Sequence, residues 1–155
     1  MKTYDTKEFA EVTVHYSTKV KKADRVTVKG AEDCEKVFRA IYDFNGNIEH
    51  KESFYTMYLN QANEVIGVTK ISEGGIDASV VDPILIFQSA ILVGAKGIIL
   101  CHNHPSGNLK QSQNDEIMTE KIKQGCKLLN IRLLDHILIT AESYKSFANE
   151  GILTF

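Results

Sequence analysis

Hydrophobic and polar residues alternate along several stretches of the chain with the two-residue period of a β-strand. Residues 11–17 are apolar at every second position, which predicts a strand. Residues 53–60 are largely apolar on both faces and predict a central strand, and a polar turn connects them to 64–72, the predicted hairpin partner. Further strands are predicted at 25–28, 98–101 and 133–140.

Other stretches repeat their apolar positions at helical spacing. Residues 31–44 form an amphipathic pattern that ends at Asn45-Gly46-Asn47. A second helix begins at Asp82-Pro83, with the proline at its first position, and runs to about Val93. This helix is apolar nearly all round, so we predict that it is buried. Helices are also predicted at 112–129 and 142–150.

The order of these elements predicts an α/β fold, in which helices cover a sheet that is parallel in part and antiparallel in the 52–72 hairpin. The length of 155 residues, with 43% hydrophobic and 25% charged residues, suits one globular domain. No apolar run is long enough to cross a bilayer, and the N-terminus lacks the apolar core of a secretory signal. Three cysteines without a Cys-x-x-Cys pair predict reduced thiols and a cytoplasmic location.

The charge distribution gives little support for nucleic-acid binding. The formal net charge is -2, which argues against a general affinity for polyanions. Residues 19–29 form a local basic cluster, but no aromatic side chain is interleaved there to stack on bases. We therefore interpret the cluster as a solvated surface.

The stretch 101–115 carries the candidate chemistry, because two histidines follow a buried strand and precede a helix. His102 and His104 project to the same side if the backbone stays extended, and the proline after His104 favours that conformation. Ser112 is a typical helix N-cap, and Asp115 lies at the third helical position, where its carboxylate reaches back to the cap.

Two imidazoles and one carboxylate are a suitable ligand set for a divalent metal. Three protein ligands leave a position for water, which is typical of catalytic zinc, although such a set also suits Fe(II). Cys101 is a weaker candidate ligand, because a neighbouring strand residue points to the opposite face. A zinc nucleobase deaminase would need His-x-Glu and Pro-Cys-x-x-Cys, and the sequence contains neither.

The motif His102-x-His104, seven residues and Ser112-x-x-Asp115 resembles the JAMM signature of the JAB1/MPN metalloproteases. The strings HNHPSG and LLDHI, the latter at 133–137, resemble the RadC branch of that family. The resemblance implies a three-layer α/β/α, cytidine-deaminase-like fold with a mixed sheet, a Zn²⁺ cofactor, and hydrolysis of peptide or isopeptide bonds. It assigns residues 51–155 to the JAB1/MPN RadC-like domain and leaves 1–50 as a strand-and-helix extension packed on it.

The family also uses an upstream glutamate as general base, and we assign that role to Glu52, directly before the central strand. Glu49 and Glu64 are the rival candidates. The resemblance gives Ser112 a second role, donation to the oxyanion. His136, in LLDHI, is interpreted as a core histidine that donates to a carbonyl, or as a hydrogen-bond partner of a metal ligand.

The resemblance implies a peptide or protein substrate, whose identity the sequence does not name. One alternative is a binding module that keeps the fold without activity. Another is a DNA-repair-associated role, which the RadC resemblance suggests. Other RadC-like proteins often carry a preceding helical domain with DNA-binding resemblance, and residues 1–50 do not look like one.

Overall fold

The computed structural model of the protein describes residues 16–74 and 81–154. Within these residues, five strands form one mixed sheet in the order β2-β1-β3-β4-β5, in which only β3 and β4 are parallel neighbours. The strands are β1 (Ser53–Leu59), β2 (Val65–Glu73), β3 (Gly97–Asn103), β4 (Arg132–Ile139) and β5 (Tyr144–Ser146). The helices are α1 (Ala31–Asn45), α2 (Pro83–Leu92) and α3 (Gln113–Leu128), besides a 3₁₀ turn at Lys22–Asp24.

The helices cover both faces of the sheet, so the predicted three-layer α/β/α architecture is confirmed. On one face, α1 packs Phe38 and Tyr42 against alternate residues of β1 such as Met57. On the other face, α2 and α3 bury Ile86 and Ile122 against the remaining residues of β1, β3 and β4. Strand β1 lies between β2 and β3 and is buried along its whole length, as its two apolar faces predicted.

Helix α2 is less buried than predicted. Ile86 and Ala90 are fully buried against the sheet, but Ile84 and Ile91 keep 62% and 61% of their surface exposed. A helix in an outer layer contacts the sheet along one side only, so its apolar outer side is open here despite its composition. The prediction that α2 is buried is therefore wrong for the outer side of the helix.

The predicted helix over 142–150 is also wrong, because strand β5 and turns occupy these residues. β5 pairs with Ile137–Ile139 of β4, and the Thr140 N–H donates to the Ser143 carbonyl to close the hairpin. The Asp135 carboxylate then accepts from the Ser146 hydroxyl at 2.5 Å and the Ala148 N–H at 3.0 Å. These tertiary bonds satisfy polar groups that a helix would have used internally.

The two predicted N-terminal strands have different outcomes. Residues 11–15 lie outside the described residues, and Tyr16 and Ser17 are not in a strand. The predicted strand 25–28 is reduced to one antiparallel bridge, Thr27 to Glu64, at the edge of the sheet. Among the described residues, no helix combines the length and hydrophobicity needed to span a bilayer.

Candidate metal centre

The candidate site lies where β3 ends and α3 begins. Strand β3 continues to Asn103, two residues past Cys101, where the predicted strand ended. His102 therefore keeps a strand conformation and is 1% exposed. His102 pairs with Phe54 across the β1–β3 ladder, and the two rings stack with centroids 6.1 Å apart. Its side chain therefore leaves the sheet on the side of α3.

The structure brings His102, His104 and Asp115 together. The Nε2 atoms of the two histidines are 3.2 Å apart. The Asp115 carboxylate places Oδ1 3.4 Å from His102 Nε2 and Oδ2 3.8 Å from His104 Nε2. Among the described residues, these three form a group whose donor atoms all lie within 4.8 Å of one another, as a metal site requires.

A capping box at the N-terminus of α3 orients Asp115, as predicted. The Ser112 N–H donates to Asp115 Oδ2 at 2.6 Å, and the Asp115 N–H donates to the Ser112 hydroxyl at 3.1 Å. Partial burial acts to raise the pKa of Asp115, but His102 and the hydrogen bonds from Ser112 hold that pKa well below its usual value. The carboxylate is therefore ionised and available as a ligand.

A chain of hydrogen bonds fixes the proton positions on His102. The Thr119 hydroxyl donates to the Asp115 carbonyl at 2.6 Å, so its oxygen is left to accept from His136 Nδ1 at 2.7 Å. Burial lowers the pKa of His136 well below its usual value, which keeps this ring neutral. His136 Nε2 then accepts from His102 Nδ1 at 2.8 Å, so Nε2 is the nitrogen that carries the lone pair whenever the His102 ring is neutral.

His104 is fixed in the same tautomer by a different partner. Its Nδ1 lies 2.7 Å from the Asn108 carbonyl, which can only accept, so in the neutral ring Nε2 carries the lone pair. Two lone pairs 3.2 Å apart, beside a carboxylate, repel one another unless a proton or a metal cation lies among them. The donor set thus fits a bound divalent metal, and each histidine has the hydrogen-bond partner that orients metal-binding imidazoles.

The three candidate glutamates occupy different places. Glu52 lines a cavity of about 80 Å³ together with His102 and Asp115, and also a larger cleft of about 610 Å³ together with His104. Glu49 lines a separate cavity beside Thr140. Glu64 bonds to Asn60 at 2.7 Å in the hairpin turn, at the opposite end of β1 from Ser53. Of the three, Glu52 is the carboxylate that lies at the histidines.

Ser112 is exposed and acts as an N-cap, with its hydroxyl oxygen accepting from Asp115. Its hydroxyl proton has no acceptor among the described residues, so it remains available to a ligand. Cys101 points to the opposite face, into the core beside α1, and burial raises the pKa of its thiol well above the usual value. It is not part of the group.

Sequence reasoning gave no role to two residues at this corner. Thr119 follows Asp115 by one helical turn, and only the fold shows that it links Asp115 to His136. Asn103 lies on the opposite face of β3 from His102, and its contacts with residues 48–53 could not be read from the sequence. The spacing of a polar residue four positions after Asp115 is the one signal that could have indicated Thr119.

Fold and site together define a three-layer α/β/α domain with a group of metal-binding character at a strand–helix corner. A family model described as RadC-like JAB domain matches residues 31–152, so the chain belongs to this family. It is 40% identical over 129 residues to a UPF0758 protein of Flavobacterium johnsoniae, covering 83% of this chain and 56% of that protein.

Relatives from other organisms have similar identity to this chain. A UPF0758 protein of Fusobacterium nucleatum is 44% identical over 105 residues, which cover 68% of this chain and 45% of the relative. A UPF0758 protein of Methanosarcina acetivorans is 41% identical over 105 residues, covering 68% and 46%. The chain thus spans about half the length of the curated relatives that it matches.

Proposed function

We propose that the protein is a zinc-dependent hydrolase of peptide or isopeptide bonds, of the JAMM type. The observation that carries this proposal is the convergence of His102, His104 and Asp115 beside a cavity that Glu52 also lines. Three donors with free lone pairs and a nearby carboxylate are the parts that metal-assisted amide hydrolysis needs. The family membership supports the same reading.

The roles of the residues follow from where they lie. His102, His104 and Asp115 would hold Zn²⁺, which supplies Lewis acidity and makes water acidic enough to ionise near pH 7. Glu52 would take a proton from the attacking water and deliver it to the leaving amine nitrogen as the C–N bond breaks. Ser112 would donate its free hydroxyl proton to the oxyanion, a contribution of about 3 kcal/mol to the activation barrier.

The large cleft is the proposed substrate path. It runs from Glu52 and His104 between the residues before β1 and the loop after β3, with Lys51 and Lys110 among its lining side chains. A volume of about 610 Å³ accommodates a few residues of an extended chain. We therefore propose a peptide or protein substrate. We also propose a cytoplasmic location, since the three cysteines are free and buried.

Two substitutions separate metal binding from chemistry. His104→Ala should abolish stoichiometric zinc, measured by elemental analysis after dialysis, and His50→Ala is the matched control because His50 is an exposed histidine of the same cleft. Glu52→Gln should keep zinc at wild-type stoichiometry and lose hydrolysis by about 100-fold or more. Hydrolysis is followed with two quenched fluorescent libraries, one of peptides and one of lysine-linked isopeptides.

The outcomes of this experiment test the metal centre, the hydrolytic activity and the identity of the metal. Wild-type protein that retains no zinc after supplementation contradicts the metal centre itself. Zinc at one equivalent without hydrolysis of either library supports the binding-module alternative. Iron as the retained metal in protein purified without additions would replace zinc with Fe(II) in the proposal.

A further inference from the structure

Asn103 lies between the two candidate metal ligands in sequence but faces the other side of the sheet. Its side chain is 0% exposed, and both its amide oxygen and its amide nitrogen form hydrogen bonds with the protein. Oδ1 accepts from the Ser53 N–H at 2.7 Å, and Nδ2 donates to the carbonyls of Lys51 at 2.9 Å and Ile48 at 2.7 Å. One amide thus contacts the segment before β1 at two points and the first residue of β1 at a third.

Two of these three contacts flank Glu52. The Lys51 carbonyl belongs to the peptide group before Glu52, and the Ser53 N–H belongs to the peptide group after it. Each peptide group is planar, so fixing both planes fixes the two backbone dihedrals of Glu52 and the direction of its Cα–Cβ bond. The Glu52 carbonyl, in turn, accepts from the Gly74 N–H at 2.8 Å.

The backbone pairing between β1 and β3 does not fix the backbone of Glu52. Pairing between β1 and β3 begins at Phe54 and His102, two residues after Glu52. Continuing the same register would set Ser53 opposite Asn103 and Glu52 opposite His104. The Asn103 side chain therefore extends the connection between the two strands beyond their last backbone pair.

We infer that Asn103 is the positioning residue for Glu52: it ties the backbone of the proposed base to the strand that carries the proposed metal ligands. This inference rests on the proposed function, since it needs Glu52 to act at a metal held by His102 and His104. His102 and His104 face one side of the sheet and would hold the metal, while the residue between them faces the other side and holds the backbone of the proposed base.

Replacement of Asn103 should disturb the position of Glu52 without disturbing zinc binding. Asn103→Asp keeps the shape and the acceptor for Ser53, but it loses both donors and turns a carboxylate toward two carbonyl oxygens. His102 and His104 stay in place, because β3 remains paired with β4 and the His104 N–H donates to the Ile139 carbonyl at 3.0 Å. Zinc binding should therefore survive while Glu52 is released.

The experiment uses the full chain, with zinc as the probe and Glu52 as the reporter. The carboxyl ¹³C signal of Glu52, assigned with Glu52→Gln, should shift when zinc is added to the wild type. In Asn103→Asp that response should disappear. Zinc affinity should not fall by the roughly 10- to 100-fold that follows when a metal ligand loses its own hydrogen-bond partner. Asn103→Ser serves as a second variant if Asn103→Asp fails to fold.

Tyr42→Phe is the matched control. It removes the bond from the Tyr42 hydroxyl to the Ser53 carbonyl at 2.8 Å, a contact with the same segment that does not involve the peptide groups flanking Glu52. Its Glu52 signal should respond to zinc as in the wild type. A merely structural role for Asn103 would instead affect zinc affinity, thermal stability and the Glu52 signal alike.

Amide hydrogen exchange tests the contact without a metal. In the wild type the Ser53 N–H should exchange with the slow amides of β1, and in Asn103→Ser, whose shorter side chain loses this contact, it should exchange at least about tenfold faster. A Ser53 amide that exchanges rapidly in the wild type overturns the inference. So does a Glu52 signal that responds equally in the wild type and both variants. A wild type that binds zinc without any Glu52 response instead overturns the assignment of Glu52 as base.

Discussion

At the scale of single residues, the corner is organised by hydrogen bonds that assign protons as well as positions. Thr119, His136 and Asn108 each bond to a ring nitrogen of a histidine, and together they leave both Nε2 lone pairs directed at Asp115. Only neutral, correctly protonated imidazoles bind a metal, so these partners prepare the site before any ion arrives.

Thr119→Val tests this preparation, because it keeps the shape of a buried side chain and removes the acceptor for His136. We expect zinc affinity to fall by roughly 10- to 100-fold, since the tautomer of His102 is no longer fixed. Competition with a chelator of known affinity measures the loss. Thr119→Ser keeps the hydroxyl and should bind zinc nearly as the wild type does; equal affinities in all three proteins would refute the relay.

The lowered pKa of Asp115 predicts a pH dependence of the metal-free protein. A carboxyl with a lower pKa in the folded state than in the unfolded state stabilises the fold above its unfolded value, about 3.9, and this share is lost as the pH falls below it. Urea denaturation at pH 7 and at progressively lower pH measures this contribution of Asp115 to the free energy of unfolding. Asp115→Asn should show a smaller loss on acidification than the wild type, and identical pH profiles would contradict the prediction.

At the scale of elements, the strand–helix corner is rigid on the β3 side and capped on the α3 side. β3 is paired with β1 and β4, so His102 starts from a strand held along both edges. The capping box then sets the first turn of α3, which carries Asp115. His102 therefore comes from the strand and Asp115 from the helix, while His104 lies on the connection 104–112 between them, directly after β3.

Helix α2 gives a stability prediction with an internal control. Ile86→Ala removes a fully buried side chain from the core under the sheet and should reduce the free energy of unfolding by about 2–5 kcal/mol. Ile91→Ala is the matched change on the exposed side of the same helix and should stay within about 0.5 kcal/mol. Chemical denaturation measures both, and similar losses would show that the outer side of α2 is covered in solution.

At the scale of the whole molecule, the site joins two of the three layers, since its ligands come from the end of β3, the residue directly after it, and α3. A metal that binds only the folded chain stabilises it in proportion to its affinity. With free zinc at 100 times the dissociation constant, the gain is about 2.7 kcal/mol. For a domain of this size, that is a rise in melting temperature of roughly 5–11 °C.

Differential scanning calorimetry with and without zinc measures this rise. His104→Ala should melt at the same temperature in both conditions, because it lacks one ligand. Magnesium, which prefers oxygen ligands, is the control ion and should leave the wild type unchanged. An equal shift in the wild type and His104→Ala would mean that zinc acts elsewhere on the chain.

The sequence alone determined much of the fold and of the ligand set. Period-two and helical patterns predicted four of the described strands and all three described helices, since these patterns record which faces are buried. The spacing of His102, His104, Ser112 and Asp115 predicted their convergence, because a strand end, a proline and a helix cap constrain the chain locally. The division of the chain at residue 50 stays a prediction.

The tertiary structure decided what depends on distant residues. It placed β5 where a helix was predicted, left one side of α2 open, and put Glu52, but neither Glu49 nor Glu64, in the cavity that His102 and Asp115 line. It also brought Thr119 and His136 to His102, and Asn103 to the backbone around Glu52. Local patterns specify which side chains are buried, but hydrogen bonds between residues 50 positions apart exist only once the sheet has set its register.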